Sequence, residues 1–321
     1  MSEESHIPWV EKYRPHHIDD IVQQDEVVSA LRSTLDKGDL PHLIFHGPPG
    51  SGKTSTALAL CHTLFENKEY KRRVMELNAS DDRGIDSVRS KIKQFASLSV
   101  PQGKVPYKII ILDEADSMTR DAQSALRRII ENFSSVTRFI IICNYVSKII
   151  DPILSRCAKF RFKALNDSSI IERLNYICEQ EGLKVESESA LKALVEISDG
   201  DLRKAITFLQ SASVTGSVSE KMVRELSGSP NPELIQDFLQ KCLGFNLNEI
   251  EESTADIVYS GYDLNQTLEI LCSLIESTTL IKEELKPELI MRISAADEMI
   301  TNRADPYLQL LAIASAINAS K

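Results

Sequence analysis

The stretch Gly47-Pro48-Pro49-Gly50-Ser51-Gly52-Lys53-Thr54 constrains this chain more than any other feature. It satisfies GxxxxGK[ST] in full, follows an apolar run at 43–46 and opens a helical pattern, with Ser55 the next residue expected to bind the nucleotide. In that setting glycines let main-chain N–H groups curl around phosphate, and the helix N-terminus adds a favourable dipole. Lys53 is expected to neutralise the outer phosphates of ATP and the Thr54 hydroxyl to hold Mg²⁺. The second half of such a site is Ile109-Ile110-Ile111-Leu112-Asp113-Glu114, an apolar strand ending in two acids. Open α/β sheets bind ligands at the carboxyl ends of their strands. There Asp113 would orient Mg²⁺, and Glu114 would polarise the attacking water as general base. Asn144 ends a further apolar run, 138–143, and is a candidate to position that water or sense the γ-phosphate.

The continuation Asp113-Glu114-Ala115-Asp116 also spells a helicase signature. A helicase of that class needs a second α/β motor domain, and the pattern after residue 163 is helical only. Before that point, strands are expected at 43–47, 108–114 and 138–144, with weaker ones at 74–78 and 159–162. Helices are expected between them, at 51–65 and 86–98 for instance. Alternation of this kind predicts an α/β domain with a parallel sheet over 1–163. A small helical domain follows at 164–228, its first helix capped by Asp167 and stopped by Gly182. Gly228-Ser229-Pro230-Asn231-Pro232 reads as a linker into a third, all-helical domain, 229–321, with helices at 264–281 and 308–317.

Six cysteines are scattered without CxxC spacing, which favours buried thiols over a metal site. No apolar run reaches the length of a membrane span, and the first residues do not resemble a signal peptide, so an intracellular protein is expected. The net charge of −10 is unevenly spread. Residues 228–321 hold 15 acidic and 6 basic side chains, whereas residues 1–227 hold 32 and 31. A basic surface for nucleic acid therefore remains open upstream.

Several stretches carry a family resemblance: Pro8-Trp9-Val10-Glu11-Lys12-Tyr13-Arg14-Pro15, the run 77–86, the run 121–128, Ser155-Arg156-Cys157 and Gly200-Asp201-Leu202-Arg203. In this order they resemble the replication factor C small subunits within the AAA+ clamp loaders, and residues 142–146 and 159–162 resemble one eukaryotic subunit in particular. The resemblance implies an AAA+ domain, a helical lid and a helical collar in one member of a five-subunit nuclear ATPase. That assembly opens a sliding clamp (PCNA) and loads it onto primer–template DNA in replication and repair. It also implies that Val10 and Arg14 line the adenine side and that Arg203 touches phosphate. Arg156 would act as an arginine finger in the neighbouring subunit's site. Residues matching Arg83, Arg89 and Lys148 would track the DNA backbone, and Gln123 would couple that contact to Glu114.

Spacing adds to this. Val88, Ile92 and Phe95 form one helical stripe, while Arg89 and Lys93, four residues apart, share another face. The apolar Leu98, Val100 and Pro101 place the loop 97–103 on the clamp side. Residues 230–321, with helical stripes and no recognisable chemistry, are expected to hold the assembly together. Two other readings compete: a mainly structural subunit that hydrolyses little, and another AAA+ machine such as an initiator or branch-migration motor.

Overall fold

Isoleucine-rich runs with no polar alternation form strands only where both faces of a sheet are covered. The computed structural model, which describes residues 7–320 apart from 37, 39, 66, 81–84, 99, 101–104, 215 and 245, shows that arrangement. Five parallel strands lie in the order β2-β3-β4-β1-β5: β1 His42–His46, β2 Val74–Asn78, β3 Lys108–Asp113, β4 Thr137–Cys143 and β5 Cys157–Arg161. Successive side chains point to opposite faces. Leu43, Phe45, Ile109, Ile111, Ile140 and Ile142 enter one core with Leu31, Ala57 and Leu60. Ile44, Ile110, Leu112, Phe139 and Ile141 enter the other with Ile92, Leu126 and Ile130. The edge strands β2 and β5 are only partly covered, which is why they read weakly in the sequence.

Three buried or half-buried cations sit at the amino ends of β2, β3 and β4. Lys108 donates from Nζ to the carbonyls of Phe95 at 2.5 Å, Ala96 at 3.2 Å and Leu98. The first two lie in the last turn of the helix Ile85–Ser97 and the third just past its end, where the helix dipole favours a cation. Arg73 donates to Val105 and lies over the Phe65 ring, and Arg138 donates to Leu40 and lies over the Tyr107 ring. His42 Nδ1 accepts from the Phe139 N–H at 3.1 Å. Burial, with the Arg138 charge, pushes that imidazole down to about 4.

The chain forms two compact units, residues 1–181 with 198–207 and residues 182–197 with 208–321. The helices Pro232–Cys242, Leu247–Tyr259, Leu264–Ser277, Lys286–Thr301 and Pro306–Ala319 close on one apolar core around Phe238, Leu271, Ile293 and Ile313. Asn231, Asn246, Asp263 and Asp305 cap four of them by accepting main-chain N–H bonds. At 228–232 Gly228 ends one helix in the left-handed region, and Asn231 caps the next with Pro232 at its first turn.

Several expectations are corrected. The segment after residue 163 is not purely helical: β6 Lys184–Val185 and β7 Ser217–Val218 form a two-residue parallel ladder. The cap of the helix Asp167–Glu181 is Asn166, whose Oδ1 accepts from Ser169 N–H at 2.9 Å. The expected helix 264–281 ends at Ser277, where Thr278 turns extended, and Ile281 is buried beyond it.

Candidate active site

Gly47 leaves β1 with φ 151°, and a Cβ there would stand 2.3 Å from the Phe162 carbonyl oxygen. Gly50, at φ 70°, would place a Cβ 2.4 Å from Asp201 Oδ1. The loop from 47 to 54 is thus pinned by β5's continuation on one side and by the start of the helix Leu202–Ser213 on the other. Ser51 Oγ closes it by donating to Pro48 O at 2.8 Å. Gly52 caps the helix Lys53–Leu64 in the left-handed region.

Lys53 is buried and donates to Gly47 O at 2.9 Å and Pro48 O at 2.7 Å. Burial pulls its ammonium below the usual lysine range; Asp113 opposes the shift and the Arg203 charge adds to it. Thr54 Oγ1 donates to Asp113 Oδ2 at 2.7 Å, joining the loop helix to the end of β3. Arg203 reaches the same hydroxyl at 3.4 Å.

Glu114 holds φ 53° and ψ 36°, a left-handed conformation that costs a non-glycine residue about 1–3 kcal/mol and clusters at functional sites. Its carbonyl accepts from Ser117 N at 2.9 Å and Oγ at 2.7 Å, which fixes the turn and leaves the carboxylate exposed. Asn144, also exposed, follows β4. Asp116, not foreseen as a site residue, accepts the N–H groups of Asn144 at 3.3 Å and Tyr145 at 3.2 Å. The aspartate that suggested a helicase signature instead ties the β3 and β4 ends together.

On the other side of the loop lies an open cavity with a largely apolar lining. Val10, Tyr13, Arg14, Ile21, Val22, Leu165 and Ile206 line it beside Gly50, Ser51, Gly52, Ser55 and Arg203. The structure therefore brings Val10, Arg14, Arg203 and four of the expected loop residues, Gly50, Ser51, Gly52 and Ser55, around one space. Arg14 also pairs with Glu11 at 2.7 Å. Arg173, from the helix Asp167–Glu181, faces the same space and was not anticipated.

The remaining residues lie apart from that space. Arg156 bonds Glu131 at 2.6 Å and Pro152 O at 2.6 Å, with 38% of its side chain exposed. Gln123 is buried; it donates to Met118 O at 3.2 Å and Lys148 O at 3.0 Å and accepts from Ile150 N at 2.8 Å. It thereby fixes the turn that carries Lys148, whose exposed ammonium lies 5.0 Å from the Tyr145 ring centre. Lys93 is exposed on the helix Ile85–Ser97, which also carries Arg89. Arg83 lies outside the described residues, as do Ser99 and residues 101–104 of the loop that follows. Leu98 of that loop is 56% exposed. Among the described residues no helix is long and apolar enough to cross a membrane.

Residues 43–165 match the family described as ATPase family associated with various cellular activities (AAA). Residues 172–214 match the RCF1/5-like, AAA+ ATPase lid domain, and residues 230–316 the replication factor C C-terminal domain. The chain is 46% identical to replication factor C subunit 2 of Oryza sativa over 316 residues, 96% of this chain and 93% of that one. It is 43% identical to human replication factor C subunit 4, covering 97% and 88% of the two chains. With subunit 2 of Saccharomyces cerevisiae it shares 43% identity over 95% and 90%. A solved structure of the Thermotoga maritima RuvB Holliday junction branch migration motor shares the fold, at TM-score 0.54 and 16% identity over 86% of this chain and 97% of that one.

Proposed function

The chain belongs to the replication factor C small subunits, the AAA-type ATPases of the clamp loader, and on that premise we propose how its residues divide the work. ATP sits with its base in the cavity beside Val10 and Arg14 and its phosphates on the loop 47–55. Lys53 leaves the carbonyls of Gly47 and Pro48 for the outer phosphates, and Arg203 adds a second cation. The observation that carries this reading is the Thr54–Asp113 pair at 2.7 Å, with Arg203 on the same hydroxyl. A hydroxyl and a carboxylate side by side are the hard oxygen donors that suit Mg²⁺. When bound there, the ion would supply charge neutralisation for the phosphates. Glu114 accepts the proton of the attacking water, and Asn144, held by Asp116, orients it.

Arg156 acts in the neighbouring subunit's site, exchanging Glu131 for phosphate on assembly. An arginine used in this way contributes about 10³–10⁵ in rate. Domain limits at 163 and 228 divide ATPase, lid and collar. DNA phosphates are met by Arg83, Arg89, Lys93 and Lys148, and Gln123 passes that contact toward Glu114 by holding the Lys148 turn. The remaining partners are the sibling subunits, PCNA and primer–template DNA in the nucleus, with the loop 97–103 toward the clamp.

The test uses the reconstituted complex altered in this subunit alone. Lys53→Ala should lose ATP binding here, whereas Glu114→Gln should bind normally and slow hydrolysis at this site by about 10³-fold. Equal loss of binding in both variants would remove Glu114 as general base. In the same assembly, replacing Arg83, Arg89 and Lys148 with Ala should flatten log K against log salt by up to about 3 units, at roughly 0.9 per phosphate contact. An unchanged slope would place DNA elsewhere.

A further inference from the structure

Residues 9–15 lie as a strap along the cavity beside the phosphate loop. Val10, Tyr13, Arg14 and Pro15 all line that space. The strap's helix, Trp9–Lys12, has four residues and none of them is buried. A helix that short has no stability of its own, and little apolar burial holds this one.

Polar contacts to the helix Asp167–Glu181 hold it instead. Glu181 accepts Lys12 Nζ at 2.6 Å and Tyr13 Oη at 2.5 Å on a single carboxylate oxygen. Arg173, about two turns earlier on the same helix, donates to Tyr13 O at 2.6 Å and itself lines the cavity. Its guanidinium lies over the Tyr176 ring, which meets the Tyr13 ring edge-on at 6.3 Å. Burial, and then the bond to Glu181, push the Tyr13 hydroxyl up to about 12, so it stays a donor across the working pH range.

We propose that Glu181 and Arg173 are positioning residues for the nucleotide: they clip the strap to the first helix of the lid and so close the base side of the cavity. This rests on the nucleotide reading of the cavity. The clip touches neither Glu114 nor Asp113, so it sets how tightly ATP is held and leaves the chemical step alone. It also makes base occupancy and the position of the helix 167–181 one event. A charged acceptor bonded to two donors is worth about a tenfold change in affinity when removed.

The experiment measures binding of a fluorescent ATP analogue to the full chain, with emission of Trp9, the chain's single tryptophan, as a second readout. Glu181→Ala should weaken binding about tenfold. Tyr13→Phe should weaken it less, and the double variant no more than Glu181→Ala, because Glu181→Ala already removes the Tyr13 bond along with that of Lys12. Glu181→Gln, whose amide oxygen still accepts, should recover most of the loss. Trypsin should cut after Lys12 in ATP-bound Glu181→Ala but not in the ATP-bound wild type. In the assembled complex KM rises while kcat at saturating ATP stays within about twofold. Wild-type affinity in Glu181→Ala and Tyr13→Phe, beside lost binding in Lys53→Ala, overturns the clip alone. Normal binding by Lys53→Ala overturns the cavity reading beneath it. A fall in kcat with KM unchanged also sinks the proposal. Tyr13→Phe, which removes one oxygen, keeps the test open if Glu181→Ala does not fold.

Discussion

Around the five-stranded sheet, buried polar side chains reach far along the chain. Gln24 bonds the main chain of Lys163 in both directions, at 2.9 and 3.3 Å. Gln123 holds residues 148–150, and Lys108 gathers carbonyls at the end of another helix. In the helices between 232 and 319, buried hydroxyls mostly turn back on their own helix. Thr254 donates to Ile250 O at 2.7 Å and Thr267 to Asp263 O at 2.8 Å. Two longer side chains reach beyond their own helices: the Asn318 amide donates to Cys242 O and Gly244 O across 76 and 74 residues, and Lys286 donates to Glu276 O. The contrast shows where geometry is being held. The sheet unit fixes irregular turns at the ends of its strands, and those turns carry the chemistry. The helical bundle satisfies its backbone internally, leaving side chains free to pack.

The largest expected effect separates the two regions outright. A chain ending at Gly228 should keep its phosphate loop and no longer co-purify with the other subunits; continued co-purification would break the division of labour. Next comes a contrast between two fully buried side chains. Phe238→Ala empties the helical core and should cost about 4 kcal/mol, with ATP affinity unchanged in whatever assembles. Lys108→Met should cost about 3 kcal/mol by orphaning three carbonyls, and it should speed amide exchange in the last turn of the helix 85–97. If exchange rises equally throughout the sheet unit, Lys108 is not a local pin. The smallest effect is pH-dependent. The folded pKa of His42 lies below the imidazole's ordinary value, so its stability is present above about pH 6.5 and is lost as pH falls toward 4. After screening at the partly exposed ring, urea denaturation should read about 2 kcal/mol of loss. His42→Gln should flatten it.

The sequence carried the strands β1, β3 and β4 because burial on both faces leaves no polar interruption. The phosphate loop was legible because its chemistry demands fixed residue types at fixed spacing. The ladder β6–β7 was not, since two residues show no period. The helix Asn67–Arg73 was missed because its side chains, Asn-Lys-Glu-Tyr-Lys-Arg-Arg, carry no apolar stripe. Asn166 and Asp167 are both good caps, and only the chain's exit angle chooses between them. Arg173 and Glu181 belong to no motif in the sequence. Their role depends on Tyr13, about 160 residues earlier, and no local pattern reports a contact at that range.

The strand order has a consequence for how the protein is made. β1 pairs with β4 and β5 alone, Leu43 beside Ile140 and Ala158. At synthesis rates of about 5–20 residues per second, Leu43-Ile44-Phe45 waits roughly 5–20 s for its first partner to leave the ribosome. Through that interval a segment apolar on both faces has no sheet to join. The helices after 232 meet their neighbours within a few tens of residues. The nascent chain is therefore most exposed to misassociation early, while its nucleotide half is still being translated, and it is there that a chaperone bound at the ribosome would matter most.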